Sequence, residues 1–161
     1  MSAYTRNGIY TVIRSAVLAV DENAYCTSTY NQTPPKLPCV FIREIGRFQP
    51  TDSINLAFDE DIYNCTFEIQ IFTNSATAQS DAYALMDAVK SAMRGMYFIL
   101  TSEAPVANAD ENIYRLTARF SRTICGGDVM PTPPTPTPDP TPTPTPSDDD
   151  DDGEDDDENE E

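Results

Sequence analysis

The sequence predicts an α+β domain, α/β in the broad sense. It has about four strands in a mixed sheet, two helices packed on one face, and a disordered C-terminal tail. Three observations lead there. Two segments repeat apolar residues at helical spacing, four segments are rich in β-formers, and the charge changes abruptly near residue 127. The chain carries 27 acidic and 10 basic residues, a net of -17, and no histidine. From Gly127 onward there are 14 acidic residues and no Lys or Arg, which leaves 13 acidic and 10 basic, net -3, in residues 1–126. The acidity belongs to the tail, so the whole chain's charge says nothing about the domain's partners. Three parts follow: a domain over 1–126, a Pro/Thr-rich linker over 127–147, and an acidic tail over 148–161.

The first helix is read from Ile9, Val12, Ile13, Ala16, Val17 and Val20. These recur at helical spacing over about 14 residues, and the helix stops near Asp21–Asn23. A polar loop ending in "TPPKLP" cannot stay helical. "CVFIREIG" then reads as a short strand, Cys39 to Ile45. A long connection, Gly46 to Asp61, comes next, and long loops in compact domains are usually functional or mobile. In "IYNCTFEIQIFTNS", Tyr63, Cys65, Phe67, Ile69 and Ile71 alternate with Asn64, Thr66, Glu68 and Gln70, which predicts a strand with one buried and one polar face. Asn74 or Ser75 can cap a second helix whose stripe is Ala78, Ala82, Leu85, Met86, Val89 and Met93. Arg94 suits its last turn, and Gly95 suits a left-handed cap. "MYFILTS", Met96 to Ser102, is a strand. In the closing strand "IYRLTARFSRTI", Tyr114, Leu116, Ala118 and Phe120 share one face, and Arg115, Thr117 and Arg119 share the other.

The tail has almost no apolar surface to offset the entropy lost on folding, and its charges repel one another. Met130–Pro146 is rich in Pro and Thr and predicts stiff polyproline II, reaching about 50 Å at roughly 3.1 Å per residue. The tail reads either as a solubilising extension that keeps subunits apart or as a docking tail for a basic partner. Direct DNA binding by the tail is disfavoured, because phosphates would be repelled.

The four cysteines, Cys26, Cys39, Cys65 and Cys125, have no CxxC spacing. A zinc site would need all four gathered from distant segments; free thiols packed as small apolar groups are the simpler reading. The N-terminus lacks the charged-then-apolar pattern of a signal peptide, and no run of about 18 apolar residues could span a membrane. Cytoplasmic assembly is therefore expected. There is no GxSxG elbow, Walker loop or dinucleotide fingerprint. "FDEDIY" clusters Asp59, Glu60 and Asp61, which can bind Ca²⁺ or Mg²⁺ weakly, but without EF-hand spacing it reads as a solvated loop end. The expectation is no catalytic residue, no cofactor and no metal.

Two surfaces are candidates for subunit contacts. The long loop carries Phe48, Ile54, Leu56 and Phe58, too many apolar groups for one small core. The polar sheet face carries Glu68, Arg115 and Arg119. That face is either solvated, with Glu68 in a weak surface pair, or a polar interface.

Over residues 5–125 the chain resembles the tail terminator (tail completion) proteins of long-tailed bacteriophages. The resemblance rests on the leading amphipathic helix, on "LPCVFIREIG", on the strand-to-helix unit "YNCTFEIQIFTNSATAQSDAYALMDAVKSAM", and on "IYRLTARFSRTI". The Pro/Thr linker, the acidic tail and the cysteines are not part of that pattern. The resemblance implies a homo-oligomeric ring, usually a hexamer, at the neck of the virion tail and assembled in the host cytoplasm. Such a ring ends polymerisation of the tail tube protein and joins the head connector or neck protein. DNA passes through its lumen without specific binding, and no membrane is involved. The acidic tails are then expected outside the ring, away from the DNA path. Two alternatives stand beside it: a head-completion or neck protein, and a non-viral binding module whose acidic tail docks a basic partner.

Overall fold

The computed structural model describes residues 4–31, 33–50 and 62–130. The elements are α1 (Arg6–Val20), β1 (Tyr25–Thr27), β2 (Cys39–Phe48), β3 (Ile62–Thr73), α2 (Ala78–Gly95), β4 (Ile99–Pro105) and β5 (Tyr114–Cys125). They build a five-stranded mixed sheet in the order β1-β2-β3-β5-β4. Only the β1/β2 pair is parallel. The expectation of about four strands is corrected by one: β1 is three residues long and lies in the loop that sequence reading left irregular.

Thr5 caps α1, its hydroxyl accepting from the Gly8 N–H at 3.0 Å. Ile9, Ile13 and Val17 form the buried stripe. The helix ends where Asp21 turns extended and its side chain accepts from the Asn23 N–H. The stripe of α2 is Ala82, Leu85, Met86, Val89 and Met93, as the periodicity predicts. Its N-cap is Thr77 rather than Asn74 or Ser75, and its hydroxyl bonds to Asp81 in the first turn. A carboxylate there also suits the helix dipole. Both stripes enter one cluster with Val40, Ile42, Phe67, Ile69, Ile71, Leu116, Ala118 and Phe120, so both helices cover the same sheet face.

The end of α2 departs from expectation. Gly95 does not take the left-handed cap; Tyr97 does, with φ 62°. The Phe98 N–H donates to Met93 O at 2.9 Å and the Tyr97 N–H to Arg94 O at 2.8 Å, the Schellman pattern with a tyrosine at the left-handed position. Because Met96 and Phe98 are buried in this turn, β4 begins at Ile99, three residues later than the sequence suggests.

Sequence reading ends β2 at Ile45. The strand instead runs to Phe48, carried past Glu44 by a bulge before Gly46. The Gly46–Asp61 connection is thus shorter than expected, and Ile54, Leu56, Phe58 and the Asp59–Asp61 cluster lie outside the described residues. The Pro/Thr linker and the acidic tail lie outside them as well, beyond Met130. The folded chain extends past residue 126: Asp128 accepts from Arg122 Nη2 at 2.9 Å, and Met130 packs against Gly8.

Candidate functional site

β3 was expected to show one buried and one polar face. From Phe67 to Thr73 it is buried on both. Among the described residues, no helix lies over the second face. Strand register sets Arg43 of β2, Glu68 of β3 and Arg119 of β5 side by side in one rung. Glu68 Oε1 accepts from Arg43 Nη2 and from Gln70 Nε2, each at 2.8 Å, and Oε2 accepts from Arg119 Nε at 2.9 Å. Gln70 Oε1 in turn accepts from Arg115 Nη2 at 2.9 Å. The Glu68 side chain is 4% exposed, whereas those of Arg43 and Arg119 are 45% and 54% exposed. The expectation of a weak surface pair at Glu68 is therefore corrected. The carboxylate is buried and held by guanidinium groups that are themselves about half exposed.

Burial alone would raise the pKa of Glu68. The hydrogen bonds from Arg119, Gln70 and Arg43 outweigh it and hold the group below its ordinary value. Farther along the same face, Cys39, Phe41, Phe72 and Ile113 form a small apolar cluster with Leu37. Tyr30 meets Phe41 edge-on at 5.4 Å, and Arg115 lies over Phe72 at 5.5 Å. Arg115 Nε and Thr117 Oγ1 are buried there without a hydrogen-bond partner among the described residues.

A second centre of the same design lies on the helix-covered face at the β2 edge. Glu44, 4% exposed, accepts from Arg47 Nε at 2.6 Å, from Arg6 Nε of α1 at 2.9 Å, and from Cys65 Sγ at 3.2 Å. Burial pushes Glu44 up, but bonds from Arg47, Arg6 and Cys65 win and hold it below its ordinary value. Burial, helped by the Glu44 carboxylate, pushes the Cys65 thiol up to about 12, so it is no nucleophile. Arg47 also stacks on Tyr63, 4.3 Å from the ring centre. Arg6 and Arg43 line a cleft of about 510 Å³ with Asn7, Tyr10 and Ser28.

All four cysteines are free; Cys39 and Cys65 are buried, Cys26 is half-buried and Cys125 exposed. Among the described residues no group of three or more His, Cys, Asp or Glu side chains is placed to hold a metal ion, and no helix is long and apolar enough to cross a membrane.

Of the long connection's candidate contact residues, Phe48 is described and is 60% exposed at the end of β2. Beside it Ile45, in the bulge, is also exposed. The opposite edge repeats the theme: Tyr97, Ile99 and Leu100 are all exposed around the start of β4. From Arg43 on, β2 has no strand on its outer side among the described residues, since β1 pairs only with Cys39–Phe41. The structure brings Glu68, Arg115 and Arg119 together as expected of one face. It adds Arg43, Arg47, Arg6 and Glu44, which sequence reasoning did not single out. The register that joins Arg43 to Glu68 across strands cannot be read from either strand alone. No protein-family model matches the chain, and no curated protein matches it.

Proposed function

We propose that this protein is a structural component of a phage tail, a terminator that forms a ring on the tail tube and carries the joint to the head connector. The observation supporting this most is the pair of sheet edges. Phe48 and Ile45 are exposed at one edge, Tyr97, Ile99 and Leu100 at the other. Exposed apolar strand edges invite pairing with another chain unless something covers them. Two different edges on opposite sides of one sheet suit a head-to-tail contact, which closes into a ring when the rotation between neighbours allows it. Glu68 is engaged by its own sheet, which in this reading favours a contact at the edges over one on the polar face. Ile54, Leu56 and Phe58 belong to the connection that leaves the Phe48 edge. In this reading the ring is a hexamer in the virion neck, assembled in the host cytoplasm. DNA passes through its lumen, the acidic tails lie outside, and the protein catalyses nothing and uses no cofactor.

Size-exclusion chromatography with light scattering tests the reading. The wild-type chain should run as a ring, and Phe48→Ser or Ile99→Ser should yield a folded monomer. A wild-type monomer that captures basic proteins would favour a binding module instead. A ring that binds the head connector but not the tube would make it a head-completion protein.

A further inference from the structure

The registers of β2 on β3, β3 on β5 and β5 on β4 join into rungs that cross the sheet. One rung runs Glu44, Phe67, Phe120, Leu100, and the next runs Gly46, Thr66, Ser121, Ile99. The exposed apolar residues of both edges gather at this height. On β2, Ile45 is the bulged residue between the two rungs, and Phe48 lies two rungs on, level with Asn64 and Thr123. On β4, Leu100 and Ile99 end the same two rungs, with Tyr97 in the turn before them. The apolar part of each edge thus lies at the same end of the sheet.

Both edges are also interrupted here. β2 bulges between Glu44 and Gly46, and β4 between Leu100 and Ser102. A bulge breaks the row of backbone groups that an added strand would need. Twist acts in the same direction. Three steps separate β2 from β4, and at about 20–25° each they turn one edge roughly 60–75° from the other. Set two copies side by side about an axis along the strands. The β4 edge of one then crosses the β2 edge of the next at that angle. Edges crossing so steeply touch over a short length and cannot continue a ladder.

We propose that neighbouring copies meet at this one level, Ile45 and Phe48 of one against Ile99 and Leu100 of the next, through side chains and without a strand ladder. The occupant of each edge is a second copy of this chain. The inference rests on the ring reading above and adds its geometry: the ring axis runs along the strands. Because the two patches share a height, each copy meets the next without a step along that axis. A head-to-tail contact with no step closes into a ring, whereas one with a step climbs into a helix.

Photo-crosslinking tests the contact. Benzoylphenylalanine takes the place of Phe48, an exposed aromatic position. The probe-bearing chain is mixed with isotopically labelled wild-type chain, so that mass tells adducts between copies from adducts within one. A reciprocal probe replaces Tyr97. The Phe48 probe should join residues 97–101 of another copy, and the Tyr97 probe should join residues 45–48. Adducts of the Phe48 probe with residues 104–106 would mean edges offset in height and would overturn the proposal. Adducts with residues 45–48 of another copy, which mark a two-fold contact, would overturn it as well. So would adducts confined to residues 51–61 of the same chain. Amide hydrogen exchange checks the ladder. The amides of β4 should exchange as fast in the wild-type ring as in the Phe48→Ser chain. Slowing in the ring would show an added strand, and a Phe48→Ser chain that still forms rings would overturn the contact. Light scattering on the wild type separates the two levels of failure. If no ring forms, the ring reading falls and this contact falls with it. If rings form and the adducts lie elsewhere, the contact alone falls.

Discussion

The two faces of this sheet solve burial in different ways. On one, Ile69, Ile71, Phe67 and their neighbours are covered by two helices, and stability follows from apolar area removed from water. On the other, Glu68 and Gln70 reach 3% exposure with no helix above them among the described residues, and arginines from the flanking strands hydrogen-bond both. The lesson is that a buried carboxylate does not imply a second layer of structure. Long cationic side chains can supply the hydrogen bonds that hold it. The faces should therefore fail differently.

The largest difference should appear on substitution at the helix-covered face. Phe67→Ala, at a fully buried site, should cost about 4 kcal/mol in urea unfolding. Glu68→Ala on the open face should cost about 2 kcal/mol, since it removes hydrogen bonds to a charged acceptor but leaves the arginines hydrated. If the two substitutions cost the same, the faces are not distinct in kind.

A pH titration sharpens the contrast. The folded-state pKa values of Glu68 and Glu44 lie below their ordinary values. Their contribution is thus present above the unfolded carboxylate range, about 4.3, and is lost as pH falls through the folded values. The stability gap between wild type and Glu68→Gln should be full at neutral pH and close in acid. The gap between wild type and Phe67→Ala should persist at all pH values where the chain folds. A Glu68→Gln gap that widens in acid would reverse the sign argued here.

Smaller effects mark the limits of each face. Arg119→Ala, at a half-exposed partner, should cost about 0.5–1 kcal/mol and less at high salt. Cutting the chain after Met130 should change stability by no more than about 0.5 kcal/mol. Cutting after Gly126 should cost more, because it removes the Arg122–Asp128 pair and Met130. Equal effects of the two cuts would move the domain boundary back to residue 126.

The helix-covered face was legible in the sequence. Alternation in β3 and β5 and the stripes of α1 and α2 name most of its residues, since periodicity reports directly on which side chains point inward. The open face was legible only in part. Glu68, Arg115 and Arg119 were placed on one face correctly, but Arg43 was missed, and so was the depth of Glu68. Burial there depends on cross-strand register and on where a guanidinium lies, neither of which leaves a periodic trace. β1 escaped because three residues carry too little pattern. The α2 terminus escaped because a glycine near the expected place, Gly95, outweighed a tyrosine as a signal for left-handed backbone.

That tyrosine bears on how this chain can vary. A left-handed backbone costs a residue with a side chain about 1–2 kcal/mol, and glycine almost nothing. Tyr97 keeps an exposed ring beside Arg122, 5.3 Å from its guanidinium carbon. In a saturation screen read out as folded protein, glycine or asparagine should outperform tyrosine at position 97. In a screen read out as assembled particles, the ring itself would decide the ranking if this edge meets a neighbour. The disagreement between those two rankings, at one position, would separate what the fold prefers from what the assembly demands.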